Sequence, residues 1–239
     1  MKILGIIPAR YSSSRFPGKP LIDLKGKSMI QRVYEGVSKS EKINHLIVAT
    51  DDQRIVEEVN RFGGNVMLTS KEHQNGTHRC IEVMNFYKDF EIVINIQGDE
   101  PLVDYRQLDD LLSAFEDPKV EIATLGISTK NAEELDNPNR IKLITDFQQN
   151  ALYFSRSKIP FERILDSNYR YLRHIGLYAF RRESLLEISS FQECQIETIE
   201  SLEQLRWMYF GKKIKVIETE IETPNIDTPE DLIEVLKYL

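Results

Sequence analysis

Short apolar runs rich in β-branched residues alternate along the chain with longer amphipathic stretches. This alternation is typical of βαβ units and of a mainly parallel sheet. The pattern predicts strands over residues 2–7, 45–49, 65–68, 92–96, 121–127, 140–145, 171–180 and 214–218. It predicts helices over residues 28–39, 52–62, 77–88, 105–116, 182–189, 197–209 and 229–238. We therefore expect a doubly wound α/β fold with a mostly parallel, Rossmann-like sheet.

Residues 150–180 interrupt the alternation with a stretch rich in Tyr, Phe and Arg. We interpret this stretch as a small inserted lobe in the second half of the fold. The sequence shows no internal repeat, low-complexity tract or long linker that would separate domains. We therefore predict a single domain over residues 1–239, with an elaboration over residues 150–180 and parts of 181–210.

The charge of the chain is unevenly distributed. The 239 residues include 31 Lys and Arg against 38 Asp and Glu, which gives a net charge of −7. Residues 1–32 carry seven basic side chains and one acidic one, a net charge of +6, so the remainder carries −13. An acidic body argues against broad binding of nucleic acid or anionic membranes, which require a sustained basic surface. A small basic segment suits a compact anion instead.

The cysteines and the hydropathy pattern indicate where the protein works. Cys80 and Cys194 cannot build a disulfide framework and match no zinc-ligand spacing. The apolar run at the start is too short for a signal peptide. No apolar run approaches the roughly 20 residues that a membrane-spanning helix needs. These features predict a cytoplasmic protein without a membrane segment.

The loop after the first predicted strand carries the strongest chemical signal. Ligands of open α/β sheets bind outside the carboxyl ends of the strands, which directs attention to the loops after residues 7, 49, 96 and 218. Residues 8–21 combine three serines, Gly18 and the cations Arg10, Arg15 and Lys19. Hydroxyls and backbone N–H groups can surround phosphate oxygens while the cations neutralise charge. A solvated basic loop is the alternative. Neither a G-x-G-x-x-G motif nor a complete Walker loop is present.

Polar side chains in otherwise apolar surroundings suggest further sites. Asp99 follows the most apolar predicted strand and would suit Mg²⁺, which binds one or two carboxylates together with phosphate oxygens; a turn-capping role is the alternative. By itself, Asp227 is better explained as a residue at a helix N-terminus. Arg156 and Arg173 lie among apolar residues, where a carboxylate ligand is a natural partner. For His174, a hydrogen-bonded structural residue is the simpler interpretation.

Nine short blocks together resemble a known family. The most specific are PARYSSSRFPGKPL at 8–21, QGDEP at 97–101 and DTPEDL at 227–232. The others lie at residues 49–51, 73–77, 137–139, 151–156, 173–178 and 203–206. In this order they resemble the sugar cytidylyltransferases, and among these the 3-deoxy-manno-octulosonate cytidylyltransferase (CMP-Kdo synthetase) family, over nearly the whole chain.

The resemblance implies a nucleotidyltransferase fold and an activity that joins CTP to a 2-keto-3-deoxy sugar acid. The expected acid is 3-deoxy-manno-octulosonate (Kdo), and the CMP-sugar would serve lipopolysaccharide biosynthesis. Mg²⁺ is implied as the cofactor, held by Asp99 and Asp227. The residues implied in catalysis are Lys19, Arg10, Asp99 and Asp227. The residues implied in nucleotide binding are Pro8, Ala9, Arg10, Ser13, Arg15, Lys19, Gln74, Gly76, Arg79 and Asp99.

The resemblance also implies a sugar site and a homodimer. The residues implied in sugar binding are Gln97, Arg156, His174, Tyr178, Glu203 and Gln204. Arg156 would meet the sugar carboxylate, while Glu203 and Gln204, on a helix with the apolar residues Ile199 and Leu205, would bind hydroxyls. The family usually has Glu or Asp where this chain has His78, so we do not carry a charge-dependent role over to that position; the expected fold is unaffected.

Several alternatives remain open at this point. The sugar acid could be an amino-Kdo or another nonulosonate, because specificity depends on a few pocket contacts. A glycosyltransferase of similar fold would normally carry an acidic D-x-D metal motif, which residues 97–100 do not provide. A non-catalytic nucleotide-binding regulator is the alternative from another class, and the presence of Lys19, Asp99 and Asp227 together argues against it.

Overall fold

The protein is described by a computed structural model. It describes residues 1–12, 16–73, 75–164, 169–224, 226 and 229–239. The chain divides into two compact units, one formed by Met1–Asp109 with Thr223–Leu239 and the other by Asp110–Glu222. The single domain expected over residues 1–239 stays a prediction.

A parallel sheet forms the centre of the first unit. Its strands are β1 (Ile3–Ala9), β2 (His45–Thr50), β3 (Val66–Leu68) and β4 (Ile92–Asn95), in the spatial order β3-β2-β1-β4. The helices of this unit are α1 (Met29–Val37), α2 (Gln53–Arg61), α3 (Gly76–Phe86) and α9 (Pro229–Val235), while α4 (Tyr105–Ser113) contains the boundary between the units. A short 3₁₀ helix occupies Lys19–Leu21.

Burial and capping explain these elements. Strand β1 is covered on both sides, and Leu4, Ile6 and Ile7 are fully buried, as expected for a central parallel strand. Each of three helices begins at a side chain that accepts a hydrogen bond from its own first turn. The pairs are Ser28 with Gln31 N, Asp52 with Arg54 N, and Asn75 with His78 N. Such caps satisfy backbone N–H groups that have no partner inside the helix.

The second unit contains a mixed sheet. Its strands are β5 (Ile122–Thr129), β6 (Lys142–Thr145), β7 (Ala151–Ser155), β8 (Tyr171–Arg181) and β9 (Ile214–Thr219). Strand β5 pairs antiparallel with β8 and parallel with β9, and β6 pairs antiparallel with both β7 and β8. The helices are α5 (Ala132–Asp136), α6 (Arg182–Ile188), α7 (Gln195–Glu200) and α8 (Gln204–Tyr209).

The predicted α/β fold is confirmed, and most predicted elements agree with the structure to within a few residues. Three of the described elements were not predicted: β7, α5 and the 3₁₀ helix at Lys19–Leu21. Strand β7 lies inside the stretch interpreted as an inserted lobe, so that stretch contributes two strands, β7 and part of β8, to the sheet. Short strands give little periodicity, which is why β7 escaped the pattern.

The single helix predicted over residues 197–209 is wrong. Helix α7 ends at Glu200, because the next residue, Ser201, has a φ of 51° in the left-handed region, and α8 begins after Glu203. Ile199 is 74% exposed and does not share an apolar face with the buried Leu205. The reason is tertiary, because the carbonyls of Glu200 and Ser201 accept hydrogen bonds from the Arg156 guanidinium instead of continuing a helix.

Candidate active site

The ends of β1 and β4 meet at one edge of the parallel sheet of the first unit. Ile6 lies opposite Asn95 in the register of the two strands. A Cβ atom at Gly98 would lie 2.8 Å from the Pro8 carbonyl oxygen, which is closer than real contacts allow. Only glycine lets the segment after β4 approach the end of β1 so closely. The geometry therefore places Asp99 beside the loop that contains Arg10 and Lys19.

Lys19 and Asp99 form an ion pair at this edge. The Lys19 ammonium lies 2.7 Å from Asp99 Oδ2 and also donates to the Ile226 carbonyl oxygen at 2.7 Å. The Ile226 N–H in turn donates to the Asp99 carbonyl at 3.0 Å. Both charged side chains are largely buried, at 14% and 26% exposure. The final segment of the chain is thereby held against the loop after β4.

These oxygens have the chemistry of a magnesium site. Asp99 supplies a partly exposed carboxylate, and the Ile226 carbonyl lies within reach of the same ammonium. Mg²⁺ usually binds one or two carboxylates and takes its other ligands from water and phosphate oxygens. Within the described residues, no group of three or more His, Cys, Asp and Glu side chains could hold a metal by itself. Asp99 is thus a single carboxylate of the kind that Mg²⁺ accepts, and the other ligands of such an ion would be water and phosphate oxygens.

Two arginines, Arg10 and Arg79, bind the segment at residues 69–73. The guanidinium of Arg10 donates to the carbonyl of His73. Arg79 is completely buried and donates to Asp51 Oδ2 at 2.9 Å and to the Thr69 hydroxyl. Burial and the nearby Arg79 cation lower the pKa of Arg10, and Asp51 opposes this effect. The guanidinium groups of Arg10 and Arg79 both lie near the single carboxylate of Asp51. One positive charge is therefore left to interact with an anionic ligand.

The structure shows a different environment for Arg79 from the one that a nucleotide contact suggests. Its guanidinium is engaged by Asp51 and Thr69, and its Nε is buried without a partner among the described residues. The side chain therefore anchors the segment that begins at Thr69. The imidazole of His73 pairs with Glu82, which also accepts from Ser70 N at 2.9 Å and so holds the same loop.

The remaining residues expected to bind the nucleotide are distributed as follows. Pro8 and Ala9 end β1, and Gly76 begins α3 next to the Pro8 ring. Four of the predicted site residues lie outside the described residues: Ser13, Arg15, Gln74 and Asp227. Among the residues expected to bind the sugar, Gln97 follows β4 in the first unit.

In the second unit, Arg156 is held by backbone carbonyls from two other segments. Its Nε donates to the Glu200 carbonyl at 2.6 Å, and Nη1 donates to the Pro138 carbonyl at 2.9 Å. Nη2 donates to the Ser201 carbonyl at 3.3 Å. The Glu200 carboxylate accepts from the Arg156 backbone N–H at 2.9 Å and from the Ser155 hydroxyl at 2.7 Å. The guanidinium is fixed in place by neutral acceptors.

His174 is a neutral residue in this structure. Burial, together with the Arg173 cation, lowers its pKa to about 3. Its Nε2 lies 3.0 Å from the Thr124 hydroxyl, and that hydroxyl donates to the Leu177 carbonyl at 2.8 Å. Since the hydroxyl proton is used there, His174 Nε2 carries the proton and donates to Thr124. Nδ1 is then the acceptor nitrogen.

Aromatic rings enclose His174. The ring lies 5.1 Å from Phe154 and 5.3 Å from Tyr178, measured between centroids. Burial raises the pKa of Tyr178 above its usual value. The Tyr178 hydroxyl is buried, and no well-aligned partner is described for it, although Thr124 is close enough to interact. Trp207 packs edge-on against Tyr178 at 5.1 Å.

Glu203 and Gln204 stand at the start of α8. Glu203 pairs with Arg206 at 3.2 Å, and Gln204 is buried. Arg173, expected to meet a ligand carboxylate, instead pairs with the side chains of Glu134 and Glu222. In the second unit Arg156, unlike Arg173, has no carboxylate partner within 4 Å among the described residues, and its hydrogen bonds go to carbonyl oxygens.

The residue patterns missed two contributors to these arrangements. Asp51 directly follows β2, so the rule of strand ends could have identified it. Lys142 is completely buried in an apolar strand, the same signal that singled out Arg173. Burial lowers the pKa of Lys142, while Asp136 and Glu200 oppose the shift.

None of the helices among the described residues is long and apolar enough to cross a membrane.

Comparison with known proteins identifies the family. A family model described as cytidylyltransferase matches residues 4–214. The 3-deoxy-manno-octulosonate cytidylyltransferase of Bacteroides thetaiotaomicron is 49% identical over 100% of this chain and 98% of that protein. The corresponding protein of Fusobacterium nucleatum subsp. nucleatum is 47% identical over 100% of this chain and 97% of its own length.

Solved structures agree with the sequence comparison. The structure of a CMP:2-keto-3-deoxy-manno-octonic acid synthetase complexed with CTP matches with a TM-score of 0.95 and 43% identity. That match covers 100% of this chain and 98% of the other. The 4-diphosphocytidyl-2C-methyl-D-erythritol synthase of Anaerococcus prevotii, 16% identical with a TM-score of 0.65, shares the fold. The chain belongs to the cytidylyltransferase family, among the 3-deoxy-manno-octulosonate cytidylyltransferases.

Proposed function

We propose that the protein transfers the cytidylyl group of CTP to Kdo and so supplies the CMP-sugar for lipopolysaccharide biosynthesis. The anomeric hydroxyl oxygen forms a bond to the α-phosphorus, the bond to the bridging oxygen breaks, and pyrophosphate leaves. The hydroxyl proton passes to solvent. The observation that carries this proposal is the full-length similarity to a synthetase solved with CTP. The expected readout is pyrophosphate release that requires both CTP and the sugar acid.

The first unit has the charge distribution that a triphosphate needs. Arg10, next to the buried Asp51–Arg79 pair, adds a guanidinium that no single carboxylate neutralises. Lys19 lies at the same edge of the sheet, at the start of the 3₁₀ helix that follows β1. Preorganised cations of this kind stabilise charge that develops on a leaving phosphate, and they need no rearrangement during the reaction. We assign Arg10 and Lys19 to the leaving pyrophosphate.

Asp99, together with Asp227, would hold Mg²⁺ when CTP is bound. The metal neutralises phosphate charge and lowers the pKa of a hydroxyl that it contacts. The described contacts of Asp99 support this role, because its carboxylate already binds a cation, the ammonium of Lys19.

The second unit supports recognition of a carboxylate. Arg156 directs its hydrogen bonds to carbonyl oxygens, so its positive charge stays available to an anionic ligand. His174 is neutral, so it would act as a hydrogen-bonding group toward the sugar and not as a cation. Within this unit we assign hydroxyl recognition to Glu203, Gln204 and Tyr178.

We also propose a cytoplasmic homodimer. The stretch over residues 150–180 carries strongly exposed apolar side chains, including Phe161 at 87% and Ile164 at 82%. Exposed apolar side chains gathered in one stretch favour a contact with another protein surface. Sedimentation at several protein concentrations tests this assembly directly. A monomer at micromolar concentration would contradict the proposal.

The decisive experiment is a pyrophosphate-release assay with CTP and a panel of 2-keto sugar acids. The panel contains Kdo, an amino-Kdo and a nonulosonate, with UTP replacing CTP as the matched nucleotide control. We expect release with CTP and Kdo, and slower release with the other acids. Preference for another acid would correct the substrate, and release with no acid would overturn the proposed activity. Measured CTP binding without any release would instead favour a non-catalytic nucleotide-binding protein.

A further inference from the structure

A completely buried lysine lies at the beginning of β6. The Lys142 ammonium donates to the Asn137 carbonyl at 3.1 Å and to the Arg156 carbonyl. Both acceptors are neutral, and the next residue of the strand, Leu143, belongs to the core. A buried charge without a directly bonded counter-charge is unfavourable, and lysines are rarely buried completely. Its hydrogen bonds to the two carbonyls offset part of this cost, and they indicate what the ammonium does at this position.

The two acceptor carbonyls show which segments of the chain the ammonium joins. Lys142 joins the backbone of Asn137 to the backbone of Arg156, and Arg156 Nη1 bonds the neighbouring Pro138 carbonyl. The segments at 137–138 and 155–156 are thus connected twice, once through each cation. The segment at Glu200 is connected to Arg156 on its other side. Two side chains therefore hold the Arg156 backbone, Lys142 at the carbonyl and Glu200 at the N–H, and Lys142 is the one that joins it to the segment at Asn137.

The guanidinium keeps binding capacity in this arrangement. Arginine has five N–H donors, and three described hydrogen bonds of Arg156 go to carbonyl oxygens. Among the described residues, no carboxylate oxygen lies within 4 Å of the guanidinium nitrogens, because Glu200 is bonded to the Arg156 backbone and to Ser155. A planar guanidinium with donors remaining suits a carboxylate, and its orientation decides how well the two groups match.

We propose that Lys142 is a positioning residue for Arg156, which it orients toward the carboxylate of the sugar acid. This inference rests on the proposed function, in which Arg156 binds that carboxylate. Lys142 does not touch the substrate. Its two hydrogen bonds set the position of the Arg156 backbone, and the position of the guanidinium follows from it. Loss of the ammonium leaves the carbonyls of Asn137 and Arg156 without their donor. The segment at residues 137–138 and the Arg156 backbone then separate.

The central experiment measures the KM for each substrate separately in Lys142→Met. Methionine matches the length of the lysine stem and removes the donors and the charge. We expect the KM for the sugar acid to rise about tenfold, which corresponds to the loss of one hydrogen bond to a charged group. The KM for CTP stays at its wild-type value, because Lys142 and the proposed nucleotide residues belong to different units.

Lys215→Met is the matched control. Lys215 lies in the same unit and also donates to a backbone carbonyl, that of Gln148 at 2.6 Å, without any bond to Arg156. We expect it to leave both KM values unchanged. CTP binding in the absence of sugar and the near-ultraviolet circular dichroism spectrum report folding of each variant. Should Lys142→Met not fold, Lys142→Gln, which keeps an N–H donor on a shorter neutral stem, replaces it under the same criteria.

A double-mutant cycle decides if Lys142 acts through Arg156. In an Arg156→Ala background, substitution of Lys142 should add no further increase in the sugar KM. An unchanged sugar KM in a folded Lys142 variant, a parallel rise of both KM values, or an undiminished effect in the Arg156→Ala background would each overturn the inference. If Arg156→Ala itself leaves the sugar KM unchanged, the proposed role of Arg156 fails. If only Lys142→Met is without effect, the positioning role alone fails.

Discussion

Replacement of Lys19 should produce two opposite effects, tighter metal binding and slower turnover. In the structure the Lys19 ammonium occupies the cation position on Asp99, at 2.7 Å from Oδ2. A divalent ion that binds the same oxygen would compete with the ammonium. Lys19→Met removes this competitor and therefore strengthens metal binding to the protein without CTP. The same substitution removes a cation from the leaving pyrophosphate, so turnover should fall by orders of magnitude.

The structure allows an estimate of the gain in metal affinity. The side chains of the pair are 14% and 26% exposed, so the contact lies between an exposed salt bridge and a buried one. Exposed pairs contribute up to about 1 kcal/mol, and hydrogen bonds to charged groups about 1.5–3 kcal/mol. A contribution of about 1.5 kcal/mol corresponds to roughly a tenfold change in affinity. We expect the dissociation constant for the metal to fall by about that factor.

The assay titrates Mn²⁺ into the CTP-free protein and follows free Mn²⁺ by electron paramagnetic resonance. Lys19→Arg keeps the positive charge and should retain wild-type affinity. Lys27→Met makes the same change in net charge at an exposed pair with Glu35, and it should leave Mn²⁺ binding unchanged. Asp99→Asn should abolish the binding. Equal or weaker Mn²⁺ binding by Lys19→Met would refute the reasoning, because the ammonium would then not compete for Asp99.

Three further predictions follow from the described contacts. Asp51→Asn leaves the buried Arg79 without its carboxylate and should lower the free energy of unfolding by about 2–3 kcal/mol in urea titrations, whereas Glu35→Gln at the exposed Lys27–Glu35 pair should cost less than about 1 kcal/mol. Gly98→Ala should separate β1 from the segment after β4; a variant with wild-type turnover would contradict this close approach. His174 has a pKa of about 3 in the folded protein and 6.5 when unperturbed, so the unfolded state binds more protons between these values. Stability should therefore fall by about 1–2 kcal/mol from pH 7 to pH 5, and His174→Asn should lose this part of the slope.

The local pattern of the sequence determines most of the first unit. A central parallel strand is apolar along its whole length, and a helix that covers it is apolar on one side, so each element is visible in its own residues. The position of Asp99 after β4 and of the basic loop after β1 follows from the same rule, because parallel strands end at the same edge. The family resemblance adds the activity, which periodicity alone does not contain.

Contacts between distant residues decided what the pattern missed. The break at Ser201 exists because Arg156, 45 residues earlier, takes the carbonyls that a continuous helix would use. Arg79 is an anchor for the loop at Thr69 because Asp51 lies beside it in the folded chain, 28 residues away in sequence.

The basic character of residues 1–32 was readable from composition, but the partner of Lys19 was not. The sequence determined which residues carry charge and which strands end near one another, because these properties are local. The tertiary structure decided which charges are paired, which carbonyls are available and which histidine is neutral. Those properties depend on distances between segments and on exclusion of water, and both arise only when the chain is packed.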